Sequence, residues 1–186
     1  MKTSLSCFST LMTRAAVMQA CAVLLCACGG GTTPGAITAQ ASDLTAKIQA
    51  LEQSGTIPAL DRSNEIKGPD TNNNGVRDDI EAYITALPIT PSQKAGAMQT
   101  ARAQQQTLTV DLRDAAALNR VENMGARATR CVADSFMPIR EDGYNLLRKI
   151  EAITANTRER AQQYLAYNRA LSGGVFSAPR GNTCDP

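Results

Sequence analysis

Apolar residues recur at helical spacing along most of this chain, and no run alternates strongly enough to demand a strand. Leu44, Ile48 and Leu51 follow Ser42, a residue type that caps helices, and the run stops at Gly55. Ile80, Tyr83, Ile84 and Leu87 form an i, i+3, i+4, i+7 stripe ended by Pro88. Thr90-Pro-Ser-Gln93 has the layout of a capping box with proline at the first helical position, opening an Ala/Gln-rich helix towards Leu108. Leu118, Val121, Met124, Ala128, Val132 and Phe136 mark a longer helix closed by Pro138, with Cys131 beside its stripe. Leu146, Leu147, Ile150 and Ile153 mark the next. Asn156-Thr-Arg-Glu159 reads as a further cap before Ala161, Tyr164, Leu165, Asn168 and Leu171, a run ended by Gly173-Gly174. Ile57 to Asp70 and the tail from Val175 carry no period and read as loop. The expectation is an all-α bundle of five or six helices over residues 42–186, its Met-, Ala- and Leu-lined stripes forming the core.

Residues 1–27 read as an address. Lys2 and Arg14 give a positive start, and Ala15 to Ala27 is nearly all apolar or small, too short to span a bilayer as a mature helix. Leu25-Cys-Ala-Cys28 resembles the lipobox of bacterial lipoproteins, which implies cleavage before Cys28 and lipidation of that cysteine. Cys21 and Cys26 match it less well, and the competing reading is an ordinary cleaved signal that contains cysteines. Residues 28–41 then form a Gly/Thr/Ala tether, and Gly29 after the cysteine resembles outer-membrane sorting. The expected location is the bacterial outer membrane, on either face, with the membrane itself as a partner through the lipid.

Loss of such a signal changes the charge. The full chain has 19 basic and 17 acidic residues, and removing Lys2 and Arg14 leaves 17 of each. The basic pI therefore offers no argument for nucleic acid. Cys7, Cys21 and Cys26 leave with the signal and Cys28 is acylated, so Cys131 and Cys184 remain and most simply pair in an oxidising periplasm. Free thiols or an intermolecular bond are the alternatives. The bridge would close a loop of about 50 residues and contribute roughly 4 kcal/mol in the chain-entropy model.

The site chemistry that the sequence declares lies in Asp70-Thr-Asn-Asn-Asn-Gly-Val-Arg-Asp-Asp-Ile-Glu81. Oxygen-bearing side chains stand at positions 1, 3, 5, 9 and 12, with glycine at 6, and the segment runs straight into a helix. This resembles a calcium loop of EF-hand type. Asp70, Asn72, Asn74 and Asp78 would offer side-chain oxygens, Val76 its backbone carbonyl, and Glu81 a bidentate carboxylate. The competing reading is a polar turn whose Asp78 and Asp79 complement a helix dipole. Position 8, usually apolar, is Arg77, and no second loop follows, so the site is more similar to the loops of thrombospondin type 3 repeats than to a paired sensor. With only three carboxylates, affinity should fall near the weak extracellular range, roughly 0.1–1 mM, and the role should be a structural staple.

Other chemistry is thin. The chain has no histidine, which removes His-dependent triads and His-based zinc sites, and no tryptophan to stack sugars or bases. Acid pairs such as Glu141-Asp142 could serve a carboxylate-dependent hydrolase, but on helix surfaces they are ordinarily solvated charges, so an enzyme is not expected. From Lys94 onward there are thirteen bases against nine acids, eleven of the bases being arginine. Arg148, Lys149, Arg158 and Arg160 are candidates for an anion-facing patch, against the plainer reading of solvated helix faces.

Ile57-Pro-x-Leu-Asp-Arg62, the stretch Gly68-Pro-Asp-x-Asn-x-Asn-Gly-Val-Arg-Asp-Asp-Ile-Glu-x-Tyr-Ile84, and Ile153-Thr-Ala-Asn-Thr-x-Glu-Arg160 together resemble a family of uncharacterised proteobacterial secreted proteins and lipoproteins. The resemblance implies the calcium loop and a Cys131–Cys184 bridge and carries no activity. The expected role is a calcium- and disulfide-stabilised structural or interaction domain of the envelope. An anionic-ligand module built on the arginine-rich helices is the alternative.

Overall fold

The computed structural model describes residues 34–186. Among them are six helices and no strand: α1 (Pro34–Gln53), α2 (Asp78–Ala86), α3 (Pro91–Thr107), α4 (Ala115–Ser135), α5 (Arg140–Thr154) and α6 (Arg158–Ala170). The all-α expectation holds. By contacts the chain divides into two units, Met1–Ile48 and Gln49–Pro186. The described part of the first is helical. Its helix starts at Pro34, eight residues ahead of the Ser42 cap read from the sequence, so the stretch read as a tether is helical from Pro34. Proline suits a first helical position, where its missing N–H breaks no bond. Leu44 and Leu51 are exposed and stand outside any core. No helix among the described residues is long and apolar enough to cross a membrane.

In the second unit, local chemistry sets the helix ends. Thr90 and Gln93 form the expected reciprocal box, with each side chain bonded to the other's backbone N–H. Asp114 caps α4 by accepting from the N–H groups of Ala116 and Ala117. The α6 cap falls one residue later than Asn156: Thr157 Oγ1 accepts from the Arg160 N–H. Proline stops α2 as expected, since its last residue is Ala86 and Pro88 follows.

The main core gathers Val76, Ile80 and Ile84 from the loop and α2, Ala97 and Ala101 from α3, Val132 and Phe136 from α4, and Leu146, Ile150 and Ile153 from α5. Small residues let the helices approach. A Cβ at Gly96 would lie 3.2 Å from Val132 Cγ2, and one at Gly143 would lie 3.0 Å from Val132 Cγ1. A smaller cluster joins Leu118 and Val121 of α4 to Tyr167 of α6. Two stripe residues expected inside are not: Met124 and Leu165 are exposed. On α6 the buried face is Arg160 and Tyr167, with Tyr164 half-buried between them, one step round from the face expected to carry Leu165.

The C-terminal tail returns to the α3–α4 pair through the Cys131–Cys184 disulfide. Beside it, buried Gln99 acts as a substitute strand edge. Its Nε2 donates to the Thr183 carbonyl at 2.9 Å, and its Oε1 accepts from the Asp185 N–H at 3.1 Å. Thr183 Oγ1 donates to the Arg127 carbonyl, and Arg102 pairs with Asp185.

Candidate metal loop and the buried arginines behind it

The turn that the spacing predicts is present. Asn73 and Gly75 have φ of 56° and 81°, the left-handed conformation that reverses the chain within a few residues. Asp70 holds the turn by accepting from the N–H groups of Asn74 and Gly75 at 3.1 and 3.0 Å. The side-chain oxygen of Asn74 accepts from the Val76 N–H, and that of Asn72 from the Asn74 N–H.

Of the six predicted ligands, Asn72 and Glu81 are brought together, with Asn72 Nδ2 donating to Glu81 Oε2 at 2.9 Å. Asp78 instead accepts from the N–H and hydroxyl of Thr71 at 2.9 and 2.6 Å. The Thr71 hydroxyl bond, then its N–H bond, hold the Asp78 carboxyl below the usual range. Val76 is fully buried, at 0 % exposure. Among the described residues, no three His, Cys, Asp or Glu side chains converge into a ready metal cluster. Like charges separate where hydrogen-bond donors are within reach, and Asp70 and Asp78 are each satisfied by their own loop. The donors are nonetheless oxygens of the hard type, carried on a backbone already reversed at position 6, and this set fits a hard divalent cation.

The sequence reading gave Arg77 no partner. It is fully buried, and its Nε and Nη2 make a forked pair with Asp79 at 2.6 and 2.9 Å. Nη2 and Nη1 also donate to the carbonyls of Ile153 and Thr154 at 3.0 and 3.4 Å. Those carbonyls lie at the C-terminal end of α5, where intrahelical donors run out and a cation is favoured. Position 8 therefore fastens the loop to the far end of another helix. Asp79 does more than complement the dipole, since it also accepts from the Asp61 N–H at 2.7 Å.

Arg160 is a correction to the proposed anion-facing patch, because it is fully buried. All five of its N–H donors are used. They go to the carbonyls of Asp61, Glu65 and Ile66, the Asn156 side chain and the Asp61 carboxylate. Burial pushes the Asp61 carboxyl up, but the hydrogen bonds from Arg160 and Ser63 and the Arg160 charge outweigh it and hold the group at about 2. Gly68 touches both arginines: with φ of 65°, a Cβ there would fall on Arg77 Cδ and lie 2.9 Å from Arg160 Nη2. Gln105 adds a further tie, donating to the Lys67 carbonyl at 2.7 Å. An aperiodic loop must place its backbone polar groups somewhere, and here the carbonyls of Asp61, Glu65 and Ile66 go to the Arg160 guanidinium and that of Lys67 to the Gln105 amide.

The rest of the candidate patch is dispersed. Arg148 bonds Glu141 and Asn145, Lys149 stands 5.9 Å from the centre of the Tyr83 ring, and Arg158 is exposed. Glu141 and Asp142 lie in the first turn of α5, both exposed. Cys28 lies outside the described residues. No protein-family model, no curated protein and no solved structure matches the chain.

Proposed function

We propose that this chain is a lipid-anchored structural or interaction domain of the bacterial envelope, stabilised by calcium in loop 70–81 and by the Cys131–Cys184 bridge. One observation carries the calcium part. The loop is continuous with the core, because Val76 and Ile80 are both fully buried and Arg77 between them reaches the end of α5. Fixing the loop therefore fixes the start of the bundle.

Asp70, Asn72, Asn74, Asp78, Glu81 and the Val76 carbonyl would hold the ion, whose double charge would offset the repulsion among three carboxylates. Such a site acts as a staple, with occupancy set by ambient calcium.

Thermal melts of the full chain in about 10 mM calcium and in chelator test this. At an affinity of roughly 0.1–1 mM, the expected stabilisation is about 1.5–2.5 kcal/mol, or a rise in Tm of about 5 °C. Glu81→Gln should remove most of that rise. Identical melts in calcium and chelator would overturn the calcium reading. The anchor has its own test. Wild-type chain should sediment with membranes and Cys28→Ser should not, and equal partitioning of the two would remove the lipid from the proposal.

A further inference from the structure

The seam between α3 and α4 opens into a trough far in sequence from the calcium-type loop. Two cavities of about 290 and 270 Å³ lie along it and share Ala103, Gln104, Gly125 and Thr129, so they are two lobes of one space. The floor is made of small residues, Ala103 from α3 and Gly125, Ala126 and Ala128 from α4. A Cβ at Gly125 would meet nothing within 4 Å, so the floor there borders open space.

The walls are aromatic and acidic. Tyr144 and Glu151 of α5 line the first lobe, and Tyr164 and Tyr167 of α6 line the second with Glu122 of α4. Three of the four tyrosines in the chain thus line one trough. The acids and phenols are electrostatically linked. Burial, then Glu122 and Tyr164, push the Tyr167 hydroxyl up to about 12. Burial raises Tyr164 as well, against a hydrogen bond with Asn168, and a hydrogen bond with Glu151 and the Glu151 charge add to the rise. Burial also raises Glu122. Among the described residues neither Glu122 nor Glu151 has an ion-pair partner, and Arg148 at the edge of the first lobe is committed to Glu141 and Asn145.

Each lobe therefore offers one carboxylate without a counter-charge beside tyrosine rings, and a small-residue floor joins them. A carboxylate next to an aromatic face is the chemistry that takes up an organic ammonium. An apolar floor takes up methylenes. We infer that the trough is a binding site for a linear organic dication, an alkyl chain with an ammonium group at each end. An anion would meet like charge, and a neutral polar ligand would leave both carboxylates without a counter-charge.

The chain has no tryptophan, so tyrosine emission is its intrinsic signal and reports chiefly on this trough. The full chain is titrated with α,ω-diaminoalkanes of increasing length. The expected result is a saturable emission change, tightest at one chain length and about tenfold weaker for the matched monoamine. Glu122→Gln and Glu151→Gln should each weaken binding by about tenfold. Gly125→Leu, placed where the backbone has open space and helix propensity improves, should fill the floor and abolish binding with far-UV circular dichroism unchanged. The same titration in chelator should give the same curve, which separates this site from the calcium reading. No saturable change, wild-type affinity in both glutamine variants, or equal affinity for a diol of matched length would overturn the inference.

Discussion

Two irregular segments of this molecule lie against the same helical bundle and are fastened in opposite ways. Residues 61–70 are held without a covalent bond, by the guanidinium of fully buried Arg160 and the amide of Gln105, while fully buried Arg77 ties the adjoining loop to the end of α5. The tail around Thr183 is held by the Cys131–Cys184 disulfide, with Gln99 standing in for a neighbouring strand. The first device exists only in the folded chain, where the cost of burying two charges is offset by giving nearly every N–H a partner. The second persists in the unfolded chain and acts largely by restricting it. One segment thus reports on how well the native state is satisfied, and the other on how far the denatured state is constrained.

The largest expected effect comes from the non-covalent side. Arg160→Met keeps most of the side-chain volume but strips the carbonyls of Glu65 and Ile66 of the donors it supplies and leaves the Asp61 carboxylate with Ser63 in place of its guanidinium partner. Breaking a buried pair costs about 3–5 kcal/mol, and the stranded carbonyls place this case near 5. Urea denaturation reads it directly. A loss below about 1 kcal/mol would mean that the loop is held by something else and would end the contrast. Removing the disulfide by the double change Cys131→Ala and Cys184→Ala should cost about 4 kcal/mol for a sequence separation of 53 residues. Hydrogen exchange then sharpens the comparison. The tail amides should lose protection in the alanine pair while those of residues 61–70 keep theirs; joint loss would make the two fasteners one unit.

What was legible in the sequence was local. The Thr90–Gln93 box is complete within four residues, so its chemistry could be read without the fold. The same holds for the reversal at Gly75, which the spacing of Asp70 to Glu81 requires. The helices were legible because their stripes are amphipathic on a single period. Arg77 was not, because its meaning depends on carbonyls 76 and 77 residues away. Arg160 reaches 94 to 99 residues back, and treating it as a surface charge turned the buried face of α6 towards Leu165 and away from Tyr167. Buried Gln99 and Gln105 were hidden for the same reason, since a glutamine in an Ala/Gln-rich helix reads as solvated until an irregular segment needs its amide. Charged and amide side chains with long apolar stems can occupy core positions, and periodicity counts alone assign them to water.

The smallest effect separates the two segments by proton. Asp61 has its carboxyl held at about 2 in the folded chain against 3.8 in the unfolded one, while the disulfide does not titrate in this range. A depressed folded value means the unfolded chain binds protons more readily. The Asp61–Arg160 contribution is therefore complete above pH 3.8 and disappears as pH falls through about 2. With Asp61 mostly sheltered, the contribution is at most about 2 kcal/mol. Asp78 is lowered as well, by its Thr71 bonds, so wild-type acid sensitivity alone does not isolate Asp61. The comparison that does is the acid limb of stability in wild type against Asp61→Asn, from urea denaturation between pH 5 and pH 2. The variant should begin less stable and lose less on acidification, by an amount equal to the Asp61 share. Parallel limbs would mean that Arg160 is satisfied by the carbonyls of Asp61, Glu65 and Ile66 alone, and that the loop is a hydrogen-bonded clasp in which the ion pair is incidental.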